Sequence, residues 1–200
     1  MIREMRLEDL DRVVDIHLRA FSGFFLSSLG SRFLRLLYRS IVLYDESVAL
    51  IYDQEGKIAG FIAGAIAPSK LYKYLIRTQF LGFAWAATSG IARNPLILPR
   101  LLCAFLYPGK TSPLANTATL MSIAVDPNIQ TKGIGKQLVN VFLQKASEHD
   151  VDQVDLTTDR VDNETANLFY RKLGFRCHRV FTTPEGREMN EYVITLPARC

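Results

Sequence analysis

The stretch 119–148, TLMSIAVDPNIQTKGIGKQLVNVFLQKASE, constrains what this chain can fold into more than any other. Leu120 to Val125 is an apolar, β-branched run that reads as a buried strand. Asp126-Pro127-Asn128 stops it, because proline has no N–H for a ladder and Asx residues favour turns. Glycines follow at 133 and 135, and Ile134, Leu138, Val141, Phe142 and Leu143 then recur at helical spacing. Strand, glycine-bearing loop, helix is an order with a physical use. The first amides of a helix lack partners within it, and its dipole adds partial positive charge there. With no Cβ at Gly133 or Gly135, a pyrophosphate can approach that backbone closely, with Lys132 and Lys136 at the rim. Taken alone, the string fits an ordinary strand-to-helix turn equally well. Two other phosphate cradles are excluded. The Walker loop's Gly-Lys-Ser/Thr is absent, and Gln137 and Leu138 occupy the region where a dinucleotide fingerprint has its third glycine.

A second stretch narrows the reading. Residues 163–175, NETANLFYRKLGF, form a short predicted helix with Asn163 as its cap and Gly174 as its stop. Together the two stretches resemble the GNAT superfamily of acyl-CoA-dependent N-acyltransferases. That family pairs V-x-P-x-x-[RQ]-x-x-G-x-[GA] with a later N-x-x-A-x-x-[FL]-Y-x-x-x-G-F. The matches are Val125, Pro127, Gln130, Gly133 and Gly135, then Asn163, Ala166, Phe169, Tyr170, Gly174 and Phe175. Gln130 stands where arginine is commoner. The resemblance extends over nearly the whole chain apart from one insertion. It implies a mixed α/β domain over residues 1–200, with a mostly antiparallel central sheet flanked by helices.

The remaining segments suit such a domain. A strand at Ile2 to Met5 precedes an amphipathic helix, Leu7 to Phe21, whose His17 is read as packed or half-exposed. The break FSGFFLSSLG leads to a second helix, Ser31 to Leu43, with Ser31 as a plausible N-cap. By resemblance the region between these helices lines the acceptor pocket, which makes Phe21, Phe24 and Phe25 candidate acceptor contacts; as bulky apolar residues they equally suit the core. Val48–Tyr52 and Lys57–Ala67 make a hairpin, with Gly60 and Gly64 signalling a bulge or a close backbone approach. Asp152–Thr158 is a further strand, and 175–183 with 188–196 a closing hairpin. Three cysteines, Cys103, Cys177 and Cys200, show neither metal nor redox spacing. Reduced thiols and the lack of a charged n-region followed by an apolar stretch imply the cytoplasm, with no metal site expected.

The insertion, Pro68 to Asn116, lies between the third and fourth strands and is read as helical. It carries Lys70, Lys73, Arg77, Arg93, Arg100 and Lys110 and no acid, a formal +6 within a chain of +4, so the rest carries −2. It is rich in Leu, Phe and Tyr and holds Trp85, the only tryptophan. Its uncharged run from Thr78 to Ala92 is shorter than the roughly 18–20 residues that cross a bilayer. Four readings stand open: extra core helices, a roof that attracts an anionic acceptor, a peripheral contact with an anionic membrane, and a homodimer interface. Nucleic acid is disfavoured, since the cations are spread among bulky aliphatics.

The resemblance also implies the chemistry: transfer of an acetyl group from acetyl-CoA to the primary amine of a small acceptor, an anionic one or an amino sugar among the candidates, by direct attack on the thioester. Backbone groups of Ile123 and Val125 would meet the thioester and pantetheine. The amides of Gln130, Thr131, Lys132, Gly133, Ile134, Gly135 and Lys136 would hold the pyrophosphate, with Asn163 also against coenzyme A. Tyr170 would protonate the leaving thiolate, since a phenol of pKa about 10 keeps its proton at neutral pH. No carboxylate lies on the 117–125 strand, so the general base stays unassigned between Asp159, Asp162 and a water chain. A catalytically silent acyl-CoA-binding module, acting at a membrane or in a complex through the insertion, is the alternative.

Overall fold

The computed structural model describes residues 1–93, 114–129, 132–184 and 186–197, with backbone alone for 89–93. Expectations for Gln130, Thr131, Cys103 and Cys200 lie outside the described residues. The strands are β1 (Ile2–Glu4), β2 (Ser47–Gln54), β3 (Lys57–Ala65), β4 (Thr117–Val125), β5 (Gln153–Asp159), β6 (Arg176–Thr182) and β7 (Glu188–Thr195). The helices are α1 (Leu10–Ala20), α2 (Phe25–Ser28), α3 (Ser31–Val42), α4 (Pro68–Arg93), α5 (Ile134–Ser147) and α6 (Glu164–Lys172). One sheet runs β1-β2-β3-β4-β5-β7-β6, antiparallel except where β4 meets β5. The mixed, mostly antiparallel sheet expected from the sequence is therefore present.

Two apolar layers sandwich the sheet. Val13 and Ile16 of α1, Leu34 and Tyr38 of α3, and Phe83 of α4 pack with Phe61 on one face. Leu138 and Phe142 of α5 pack with Ala59, Ile62 and Leu156 on the other. β3 is thus covered on both sides, which is why its residues from Ile58 to Ala65 are buried without alternation. The β2–β3 hairpin closes on Glu55 and Gly56, both at positive φ, the pair a type I′ turn requires.

Gly64 does what a glycine in a strand signals. Ala63 pairs with Ser122 and Gly64 with Leu120, so Met121 is the extra residue of a bulge in β4. A Cβ on Gly64 would stand 2.3 Å from the Thr119 carbonyl oxygen and 2.6 Å from the Phe142 ring. Beyond the bulge β4 leaves β5. Their pairing covers only Thr117–Thr119 against Gln153–Asp155, and the strands splay from Leu120 onward.

Two caps differ from the sequence reading. Gly30, with φ 90°, occupies the cap of α3, and Ser31 is its first helical residue. Asn163 does cap α6 by position, but its side chain makes no capping bond. Its Nδ2 instead donates to Thr158 Oγ1 at 2.7 Å and to the Asp159 carbonyl at 3.2 Å, tying the helix to the end of β5. Among the described residues no helix is long and apolar enough to cross a membrane.

Candidate active site

The splay opens a cavity of about 750 Å³ between β4, β5, α1 and α6. Ile123, Val125, Gly135, Asn163 and Tyr170 line it, as do Phe21, Phe24 and Phe25 at the α1–α2 end. A second open cleft, about 520 Å³ beside Arg160, Arg171 and Cys177, shares no lining residue with it and lies away from the splay.

Backbone polarity makes the cavity useful. The amide of Asp126 donates to the Ala59 carbonyl at 2.8 Å. A strand repeats every two residues, so the amides of Ala124 and Ser122 turn toward β3 and those of Ile123 and Val125 toward the splay. There they face no strand. At the far end of β4, Asp126 is 2 % exposed and takes Arg12 and Arg19 of α1 on its carboxylate and the Asn128 amide at 2.9 Å. Burial alone would raise its pKa, but the Asn128 amide and the Arg12 guanidinium outweigh it and hold the group below the usual carboxylate range. The turn before the glycine loop is therefore clamped to α1.

Gly133 caps α5 at φ 88°, with open space where a Cβ would be. The first ladder bond runs from the Gln137 amide to the Gly133 carbonyl, 3.0 Å, leaving the amides of 134–136 outside the ladder. Ile134 contributes only its backbone to this end, because its side chain is 1 % exposed and packs over Gly60. A Cβ on Gly135 would meet the Phe169 ring at 3.3 Å, so that glycine lets α6 approach the helix start. A bulky group there would close the cradle. Lys132 is exposed beside it and Lys136 is the third residue of α5.

Tyr170 is 8 % exposed, its ring among Phe169, Phe175 and Tyr192. Its hydroxyl makes no hydrogen bond among the described residues, yet it is not a sealed polar atom; the sealed, unpartnered ones are His17 Nε2 and Ser27 Oγ. Burial pushes its pKa up to about 12. A protonated phenol whose hydroxyl has no partner among the described residues thus stands in the cavity wall. Asn167, which the sequence did not signal, fixes the helix that carries it. Its Nδ2 donates to the carbonyls of Asp159 and Asn163 at 3.0 and 2.8 Å, and its Oδ1 accepts from Asn190 and Tyr192 at 2.8 and 3.0 Å.

Neither candidate carboxylate is free and well placed. Both oxygens of Asp159, on the cavity wall, accept from Arg187 at 2.5–2.6 Å. Asp162 is exposed, at positive φ in the turn before α6. The sequence reading had no sign of Arg187. It also missed the connection of His17, which is 2 % exposed and lines the cavity. His17 Nδ1 hydrogen-bonds the Tyr38 hydroxyl at 2.7 Å.

Residues 10–175 match the acetyltransferase (GNAT) family. Over 91 residues, 44 % of this chain, the sequence is 31 % identical to the [ribosomal protein bS18]-alanine N-acetyltransferase of Escherichia coli K12; the match spans only 60 % of that relative's length. The crystal structure of the corresponding Escherichia coli enzyme aligns with 100 % of this chain and 96 % of its own, at TM-score 0.62 and 17 % identity. An aminoglycoside 6'-N-acetyltransferase complexed with coenzyme A aligns over 100 % and 99 %, at TM-score 0.65 and 14 % identity. These low identities speak for the fold. The splayed β4, the glycine-bearing start of α5 and the match over most of the sequence agree: the chain belongs to the acetyltransferase (GNAT) family.

Proposed function

We propose that the protein is an acetyl-CoA-dependent N-acetyltransferase acting on the primary amine of a small acceptor. The observation that carries this reading is the Tyr170 hydroxyl, without a hydrogen bond among the described residues, on a cavity opened by the β4–β5 splay. The splay-facing amides of Ile123 and Val125 would bind the donor's thioester and pantetheine groups, and the amides of 134–136 its pyrophosphate, with Gln130, Thr131, Lys132, Gly133 and Lys136 completing the loop. Acetyl-CoA supplies the activated thioester, and coenzyme A leaves as the thiol. The neutral amine adds to the thioester carbonyl carbon, the C–S bond breaks, and Tyr170 gives its proton to the sulfur. The nitrogen's surplus proton leaves through cavity water, since Asp159 is committed to Arg187.

The acceptor end supports an amine on a compact scaffold. Phe21, Phe24 and Phe25 wall it with apolar surface, and the chain's formal charge of +4 suits an acceptor bearing negative charge, a nucleotide-linked amino sugar being one such compound. Both relatives above are named for acetylating nitrogen, one on an alanine of a ribosomal protein and one on an aminoglycoside.

Calorimetric titration with acetyl-CoA and free CoA, on wild type and Gly135→Glu, tests the donor site. Binding that vanishes in the variant supports it, and no binding to wild type sinks it. In an amine-acceptor screen, Tyr170→Phe should keep CoA affinity and lose on the order of 10²-fold in turnover. Unchanged turnover removes the general-acid role. CoA binding without turnover on any amine would favour the silent binding module instead.

A further inference from the structure

The outward face of α4 is not built like that of an ordinary surface helix. One face is core: Leu71, Leu75, Phe83, Ala86 and Ala87 are buried, Phe83 meets Phe33 of α3 at 4.9 Å, and Gly82 lets Leu36 come close. The opposite face should then be polar. Its first half is, with exposed Lys73 and Arg77. Its second half is apolar, with Leu81 at 81 % and Trp85 at 72 % exposure and exposed Ala84 between them. Arg77, Leu81 and Trp85 are spaced four residues apart, so cation and apolar groups form one stripe. No acid occurs anywhere on the helix, and its Lys70 is paired to Glu46 at 3.0 Å. Lys73 and Arg77 enter no salt bridge among the described residues, nor do the exposed Arg32 and Arg39 of α3, which flank Leu36 in its sequence by one turn.

We infer that this face of α4 is a peripheral contact for an anionic lipid surface. Charge complementarity selects that occupant. Unpaired cations bind lipid phosphates, and a tryptophan and a leucine one turn apart suit the boundary between headgroups and acyl chains. The apolar stripe covers little more than one turn, enough to insert shallowly and far short of a span. A protein partner of ordinary composition would call for some acidic side chains on the same stripe, and there are none; the exposed hydroxyls of Thr78 and Thr88 donate to the helix's own carbonyls of Tyr74 and Trp85 at 2.7 Å. The inference stands apart from the identity of the acceptor, because no α4 residue lines the cavity.

Trp85 is a built-in probe, being the only tryptophan in the chain. The full chain would be mixed with phosphatidylcholine vesicles, with or without about one-third phosphatidylglycerol, at low and high salt. Emission and co-sedimentation would be followed together. The expected result is a blue shift with sedimentation on anionic vesicles alone, weakened by salt. Lys73→Glu with Arg77→Glu should weaken partitioning about thirtyfold or more, since each cation near such a surface is worth about fivefold. Leu81→Ser should reduce the blue shift, and CoA affinity, unchanged in these variants, would show that they fold. No shift on anionic vesicles, or an equal response to neutral ones, overturns the inference. So does a shift that follows protein concentration without lipid, which would mean a second copy covers the face. A Trp85 already shielded from acrylamide in lipid-free solution would mean that the chain itself covers it, and also overturns it.

Discussion

His17 holds a neutral imidazole almost wholly buried in the wall of the cavity. Nδ1 is satisfied by Tyr38, Nε2 is sealed without a partner, and burial lowers the pKa to about 4. The consequence for stability has a definite sign. As pH falls from about 6.5 to 4, the unfolded chain binds a proton that the folded chain refuses, so stability declines through that window and levels off below it. The slope approaches ~1.4 kcal/mol per pH unit, for a total on the order of 3 kcal/mol. Asp9, Asp15 and Asp126 are held below 3.8, so their own losses set in at lower pH. Urea melts between pH 7 and 4.5 should show the slope. His17→Asn, whose amide reaches toward the Nδ1 position, should flatten it; an unchanged slope assigns the pH dependence elsewhere. Residues differ in how far a sequence reveals them. The place of Tyr170 was legible because Asn163, Phe169 and Gly174 stand at fixed offsets around one helix, and the structure puts Tyr170 and Asn163 on the cavity wall, which leaves the catalytic role to the substitution above. His17 gave only a ring on a helical stripe. Its partner is Tyr38, 21 residues on, and no local pattern marks a pairing of that range.

Elements were legible where local chemistry decides them. Glycines inside an apolar strand announced an irregularity, and the β4 bulge lies opposite Gly64. Caps were less so: Gly30 took the place expected for Ser31, because the chain enters α3 at a φ of 90°, which an L-residue resists. The bulge yields a sharp prediction. In Gly64→Ala the added methyl meets a backbone oxygen at 2.3 Å, and no rotamer change can relieve that. The cost should reach the upper end of overpacking, about 3 kcal/mol, or roughly 6–12 °C in Tm for a chain of this size. Gly186→Ala, in the β6–β7 turn, meets nothing within 4 Å and pays only for φ 82°, about 1–2 kcal/mol. Thermal melts of the two variants decide the matter. If Gly64→Ala were no worse than Gly186→Ala, the close approach would not govern the bulge.

The molecule as a whole is two half-sheets joined at a short seam. β1 to β4 form one half and β5, β7 and β6 the other, with direct pairing only at Thr117–Thr119 against Gln153–Asp155. Thr119 Oγ1 to Asp155 at 2.6 Å and Gln153 Nε2 to Thr117 Oγ1 at 3.0 Å reinforce that seam. The sequence reading supplied the strands and the closing hairpin but could not supply their order, since placing β7 between β5 and β6 depends on pairings between distant segments. A donor bound along the splay would touch both halves, β4 and α5 on one side and α6 on the other, and so act as a removable brace. At 100 times its dissociation constant, coenzyme A should stabilise the fold by about 2.7 kcal/mol and raise Tm by roughly 5–10 °C. Hydrogen exchange adds the location. The amides of Ile123 and Val125 should slow on binding, whereas that of Ala124, turned toward β3, should change little. A rise in Tm that left Ile123 and Val125 exchanging as before would place coenzyme A outside the splay and leave the brace, and the thioester position derived from it, without support.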